Sequence, residues 1–194
     1  MAEFSSSLLL IIDVQNDFCP GGTLAVTGGD EVIEPLNKLS RFFELKGGKC
    51  AATQDWHPEG HVSYSVWPNH CLKGSKGAEF HPSLELDQIN LILRKGFRKD
   101  LDSYSAFYEN DKITPTGLDS YVKSLSIDTV YIGGLATDYC VYYSALDAVK
   151  LRLKTYVIND AVRGVDIPEG NTVKAINEMK KQGIVFIESG DLLK

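Results

Sequence analysis

The chain has no Cys-x-x-Cys pair, no stripe of Lys and Arg, no apolar run long enough to cross a bilayer and no glycine-rich phosphate signature. Each absence closes off a class of function. Cys19, Cys50, Cys71 and Cys140 are widely separated, with neither a Cys₄ nor a Cys₂His₂ pattern, so a structural zinc finger is disfavoured. Without a secretory signal they are expected to be reduced rather than bridged. Acidic residues outnumber basic ones, 26 Asp and Glu against 20 Lys and Arg. That balance argues against nucleic acid or an anionic membrane as a partner. Neither Gly-x-x-x-x-Gly-Lys nor Gly-x-Gly-x-x-Gly occurs, so nucleotide binding has little support. The longest N-terminal apolar run, Leu8 to Ile12, is short, has no basic residue before it and stops at Asp13. It reads as a strand, not a signal peptide, and a cytoplasmic location is the default.

What remains is an ordinary globular composition of 194 residues, without repeats, low-complexity tracts or linkers. The length suits one domain, 1–194. Strand patterns alternate with helical ones. Ser7 to Ile12 is continuously apolar, as a strand buried on both faces should be. Val32, Ile33, Leu36, Leu39, Phe42 and Phe43 recur at helical spacing and stop near Gly47-Gly48. Further strands are expected at Lys49 to Thr53, Ile89 to Leu93, Thr129 to Ile132, Lys154 to Ile158 and Ile184 to Ile187. Helices are expected from Pro115 or Thr116 through Leu125, after Gly133-Gly134 with Thr137 or Asp138 as N-cap, and over Glu169 to Lys181. Such alternation predicts an α/β fold: a parallel sheet of six strands between two layers of helices, joined by right-handed crossovers.

Four of these strands end in side chains able to do chemistry: Asp13, Asp55, Lys95 and Cys140. In a parallel sheet those ends share one edge, the edge at which open α/β sheets bind ligands. Cys140 falls in the first turn of a helix, where unpaired N–H groups stabilise a thiolate. Read alone, Cys140 is equally a small buried apolar residue. With Asp13 as a base and Lys95 as a neighbouring cation it becomes a candidate nucleophile. The competing reading is a structural Asp13–Lys95 ion pair beside an inert thiol. N–H groups of the turn from Ala136 to Cys140 could serve as an oxyanion hole.

All four histidines, His57, His61, His70 and His81, lie in one irregular stretch, rich in Pro, Gly, His and Ser, at about 55–90. A structureless stretch this long in a compact domain is often functional. Asp55, His57 and His70 together suit a divalent ion such as Zn²⁺, Fe²⁺ or Mn²⁺, with positions left for water or substrate. His61 is a candidate fourth ligand or supporting group, and Ser63 could reach through water. His81 precedes a proline and reads as structural; Cys71 is a weaker candidate ligand than His70. Phe18, Trp67, Tyr104 and Phe107 sit in loops near strand ends. They are either small local cores or the walls of a slot for a flat aromatic substrate. Tyr139, Tyr142 and Tyr143 flank Cys140, and two of them are expected to pack or face solvent.

Asp13-Val-Gln-Asn-Asp-Phe18, Asp55-Trp-His57, Trp67-Pro-Asn-His-Cys71, Lys95-Gly96 and Gly134-Leu-Ala-Thr-Asp-Tyr-Cys140-Val follow one another along the chain. Together they resemble the nicotinamidase (pyrazinamidase) branch of the isochorismatase-like cysteine hydrolases. The resemblance implies a six-stranded parallel sheet between helices and Asp13, Lys95 and Cys140 as a catalytic triad. It implies one divalent metal, Zn²⁺ first among the candidates, on Asp55, His57 and His70. The pocket would comprise Phe18, Leu24, Trp67, Tyr104 and Ala136, with a non-proline cis peptide before Ala136 aiming its N–H, beside that of Cys140, at the oxyanion. The substrate implied is nicotinamide, with pyrazinamide as an analogue, the product nicotinate entering NAD salvage; a homo-oligomer is compatible with the family. The alternatives are another hydrolase of the superfamily, acting on isochorismate or carbamoyl amides, and a non-catalytic binding protein that keeps the pocket.

Overall fold

The computed structural model describes residues 4–194, so the first three positions of the expected domain lie outside the described residues. Its strands are β1 (Ser7–Ile12), β2 (Lys49–Asp55), β3 (Leu91–Lys95), β4 (Thr129–Leu135), β5 (Lys154–Arg163) and β6 (Val185–Ile187). They form one sheet in the order β3-β2-β1-β4-β5-β6, every neighbouring pair parallel. The helices are α1 (Ile33–Leu45), α2 (Leu118–Ser124), α3 (Tyr142–Lys150), α4 (Asn171–Lys181) and α5 (Ser189–Leu192).

Side-chain alternation along β1 divides the core in two. Leu9 and Ile11 pack with Leu36, Leu39 and Phe43 of α1. Leu8, Leu10 and Ile12 pack with Leu118 of α2, Ala145 and Ala148 of α3 and Met179 of α4. All five residues from Leu8 to Ile12 are completely buried. Each such side chain stabilises the fold by about 1.5–3 kcal/mol, enough together to pin the register of the central strand. Gly134 lies opposite Ile12 in the β1–β4 ladder, and a Cβ there would stand 2.1 Å from the Ile12 carbonyl oxygen. Only glycine permits this approach.

Several expected boundaries shift. β5 continues past Ile158 through the polar Asn159 and Asp160 to Arg163. The polar pair is accommodated because Asn159 Nδ2 donates to Glu188 and Asp160 accepts from the N–H and hydroxyl of Ser189. α2 begins at Leu118, after Gly117 in the left-handed region, rather than at Pro115 or Thr116. α4 begins at Asn171 rather than Glu169, again after a left-handed glycine, Gly170. The short α5 was not expected. No described helix is long and apolar enough to cross a membrane.

Strand order reverses direction between β1 and β4, the switch point at which a crevice opens beyond the carboxyl ends of the strands. Asp13 follows β1 directly, and Cys140 lies in the turn after β4.

Candidate active site

Lys95 is the hub. It ends β3, is almost completely buried, and its Nζ lies 2.8 Å from Asp13 Oδ2, 2.6 Å from Asp55 Oδ1, 3.0 Å from the Ser103 carbonyl and 3.4 Å from Cys140 Sγ. Three strand ends and the turn after a fourth thus converge on one ammonium. Burial alone would drive off its proton, but Asp13, Asp55 and Cys140 reverse this and hold its pKa well above the lysine range. Burial works against ionised Asp55 too, yet Lys95, His57 and His70 outweigh it and leave that carboxyl below its usual range. At Asp13 burial prevails over Lys95, helped by the nearby Asp55, and the carboxyl rises.

Cys140 differs from expectation. It does not open a regular α-helix: Thr137–Val141 is a π-helical turn, with the Val141 N–H donating to the Ala136 carbonyl at 3.1 Å. Nor does Asp138 or Thr137 cap it. The Asp138 carboxylate instead accepts the N–H groups of Val165 and Asp166 at 3.0 and 2.9 Å, tying the turn to the segment after β5. Burial raises the Cys140 thiol well above its usual range despite the pull of Lys95, because Asp13 and Asp55 oppose ionisation. The surroundings thus favour the thiol form, beside an acceptor. The Leu135–Ala136 peptide is cis, as the resemblance implied.

Oxygen or nitrogen atoms of Asp55, His57 and His70 lie within 4.8 Å of one another, all three residues buried. His57 Nδ1 donates to the Gly96 carbonyl at 2.8 Å and His70 Nδ1 to the Pro68 carbonyl at 2.7 Å. Each Nδ1 is thereby committed to a backbone carbonyl, which leaves Nε2 as the ring nitrogen for a metal; that of His57 lies 3.7 Å from Asp55 Oδ2. Burial also lowers the His70 pKa and favours its neutral form. The charge balance fits a cation as well. Two buried carboxylates face one ammonium, leaving a negative charge that a dication on this N₂O set would compensate.

His61 stacks on His57 with ring centres 4.1 Å apart. Its Nδ1 is engaged by Ser63 at 2.7 Å, and its buried Nε2 groups with His57 and Asp102 rather than with Asp55 and His70. Cys71 offers its backbone, not its sulfur. Its N–H donates to Asp17 Oδ2 at 2.7 Å and its carbonyl accepts from the His57 N–H at 3.0 Å. The four cysteines are free. His81 accepts the Ser83 N–H at 3.2 Å, away from the site.

A single pocket reaches both Cys140 and the Asp55, His57 and His70 group. Phe18, Leu24, Trp67, Tyr104 and Ala136 line it, together with Asp55, His57, His70 and Cys140. Four further lining residues, Val26, Asp102, Tyr139 and Val165, were not among the sequence candidates. Tyr139 carried a signal, its place next to Cys140, but nothing local separated it from Tyr142 and Tyr143. Phe107 is not in the pocket; it is fully buried in the core on the α2 side. The Trp67 indole N–H donates to the Tyr104 hydroxyl at 3.1 Å, Tyr139 meets Trp67 edge-on at 5.0 Å, and the Tyr139 hydroxyl donates to the Ile167 carbonyl at 2.6 Å. These contacts brace the aromatic wall of the pocket.

The isochorismatase domain profile matches residues 7–191. The chain belongs to the isochorismatase family. Among family members it is 42% identical to the nicotinamidase of Acinetobacter baylyi, an alignment covering 100% of this chain and 97% of that one. Its fold is similar to that of PnC1 from L. infantum in complex with nicotinate, at a TM-score of 0.88 and 35% identity over 98% of this chain and 96% of the other. It is similar also to the pyrazinamidase of Pyrococcus horikoshii in complex with zinc, at 0.84 and 36% over 94% and 99%. The Asp55, His57 and His70 grouping adjoins Asp13, Lys95 and Cys140 through the contact of Asp55 with Lys95, and Cys140 lines the same pocket.

Proposed function

We propose that this chain is an amidase that hydrolyses nicotinamide to nicotinate and ammonia through a Cys140 thioester, in NAD salvage. One observation carries the reading: Cys140, backed by the buried Lys95 ammonium and Asp13, lines the same aromatic pocket as an Asp-His-His donor set. A ring held at that donor set presents its carboxamide to Cys140. Relatives named for nicotinamide and pyrazinamide hydrolysis, and neighbours holding nicotinate and zinc, support the same substrate class.

Asp13 Oδ2 accepts the Cys140 proton as Sγ forms a bond to the carboxamide carbon. The carbonyl oxygen becomes an oxyanion facing the Ala136 and Cys140 N–H groups. Asp13 then delivers its proton to the amide nitrogen, the C–N bond breaks, and ammonia leaves a thioester on Cys140. Asp13 next takes a proton from water as its oxygen attacks the thioester carbon. The C–S bond breaks, releasing the carboxylic acid, and the proton on Asp13 returns to sulfur. Lys95 stays protonated throughout and offsets the charge that passes between Asp13 and sulfur. A divalent ion such as Zn²⁺ on Asp55, His57 and His70 would supply a Lewis-acid anchor for the ring nitrogen.

Ammonia release from nicotinamide by the metal-loaded protein is the direct test. Cys140→Ala should lower kcat by at least about 10³-fold while metal content stays at the wild-type value. Wild-type protein silent on nicotinamide, or a Cys140→Ala variant with normal turnover, would overturn the reading.

A further inference from the structure

Thr53 is completely buried on β2, beside the end of β1. Polar side chains in the middle of a sheet ordinarily need a local partner; this one reaches across to Asp13 and binds it twice. The Thr53 hydroxyl accepts the Asp13 N–H at 3.2 Å and donates its own proton to Asp13 Oδ1 at 2.6 Å. Asp13 itself sits at φ +49°, in the left-handed region that residues other than glycine seldom adopt. A backbone in that region is held by what surrounds it, and Thr53 grips both the N–H and the carboxylate.

From this geometry we infer that Thr53 is a positioning residue that dedicates Oδ2 of Asp13 to proton transfer with Cys140. The inference rests on the reading of Cys140 as the nucleophile and Asp13 as its base. A carboxylate has two equivalent oxygens, and a free one exchanges them by rotation. Here they are made unequal. Oδ1 receives the threonine proton in a short bond, and that bond persists whether Asp13 is ionised or protonated. Oδ2 is paired with Lys95 Nζ at 2.8 Å, and a carboxylate oxygen of Asp13 lies within 4.8 Å of the Cys140 sulfur. The proton leaving sulfur therefore lands on Oδ2, and the same oxygen gives it to the departing nitrogen. The hydroxyl touches neither substrate nor sulfur; it acts by preventing Asp13 from turning.

Thr53→Val removes the hydroxyl and keeps the shape, Thr53→Ser keeps the hydroxyl and removes the methyl, and Thr53→Ala removes both. In the metal-loaded enzyme the Val and Ala variants should lose about 10- to 100-fold in kcat for nicotinamide, with KM changed by less than about two-fold and the Ser variant within about three-fold of wild type. Metal content should be equal in all four proteins. Full kcat in the Val and Ala variants, a Ser variant as impaired as Ala, or a loss confined to KM would each overturn the assignment. If Val fails to fold, the Ser and Ala pair still differs by the hydroxyl alone. Should wild-type protein release no ammonia from nicotinamide, the functional reading fails by itself. The rate of Cys140 alkylation by iodoacetamide then decides the role of Thr53: slower in Ala than in Ser supports it, equal rates overturn it.

Discussion

Gln15 binds Asp55 as if it were another strand of the sheet. Its amide oxygen accepts the Asp55 N–H at 2.8 Å, and its amide nitrogen donates to the Asp55 carbonyl at 2.9 Å and to the Ala78 carbonyl at 2.8 Å. The side chain is completely buried, and both its amide hydrogens and its amide oxygen bond to backbone. Gln15 stands two residues after Asp13 and holds Asp55; Thr53 stands two residues before Asp55 and holds Asp13. The two acids that share Lys95 are thus braced reciprocally across β1 and β2.

Replacing Gln15 with Leu leaves buried N–H and carbonyl groups of Asp55 unpaired. Metal affinity should fall about 10- to 100-fold, the usual loss when a ligand's supporting partner is removed. Stability should fall by about 1–3 kcal/mol. Metal titration and urea unfolding check the two effects separately, and unchanged affinity would show that Asp55 needs no such support.

The acid limb of the pH–rate profile should lie above the ordinary aspartate range. Asp13 must be ionised to accept the thiol proton, and burial, with Asp55 adding to it against Lys95, raises its pKa. Activity therefore falls as pH drops through that raised value. Metal binding is itself pH-dependent, because protons compete for the ligand atoms, so metal content must be followed over the same pH series. A limb near the unperturbed value of about 3.9 with metal retained would contradict the assignment of Asp13 as base.

Gly96→Ala should cost both stability and metal. Gly96 has φ +62°, and a Cβ there would stand 2.5 Å from His57 Cε1 and 2.8 Å from its Nδ1. The backbone conformation alone costs about 1–2 kcal/mol for a residue with a side chain. The displaced His57 ring would also lose its bond to the Gly96 carbonyl. Thermal unfolding together with metal analysis measures the two losses, and a variant with wild-type values in both would sink the account.

Tyr104→Phe removes only the hydroxyl that accepts the Trp67 indole proton. The ring stays, so the change should loosen the slot rather than impair chemistry. KM for nicotinamide is expected to rise about five-fold, near 1 kcal/mol, with kcat within about two-fold. Steady-state kinetics on the metal-loaded enzyme resolve this, and a fall in kcat at constant KM would place Tyr104 in the chemical step instead.

Local pattern alone determined the alternation of buried strands and amphipathic helices, and hence the parallel sheet. It also put Asp13, Asp55, Lys95 and Cys140 at strand ends, and the parallel sheet then placed those ends on one edge. Both signals are short-range: periodicity is read over a few residues, and a strand end is marked by its own polar residue. Tertiary structure decided the rest. Thr53 and Gln15 looked unremarkable because each finds its partner 40 residues away. Asp138 resembled a helix cap until Val165 and Asp166, distant in sequence, claimed its carboxylate. Tyr139 was separated from Tyr142 and Tyr143, and Phe107 from the pocket aromatics, only by the direction each side chain takes. The upward shift of the Cys140 pKa could not be read either, since it depends on burial and on two carboxylates brought from other strands. Chemistry-bearing residues announce themselves by type and place, whereas the groups that orient them are defined by contacts that exist only after folding.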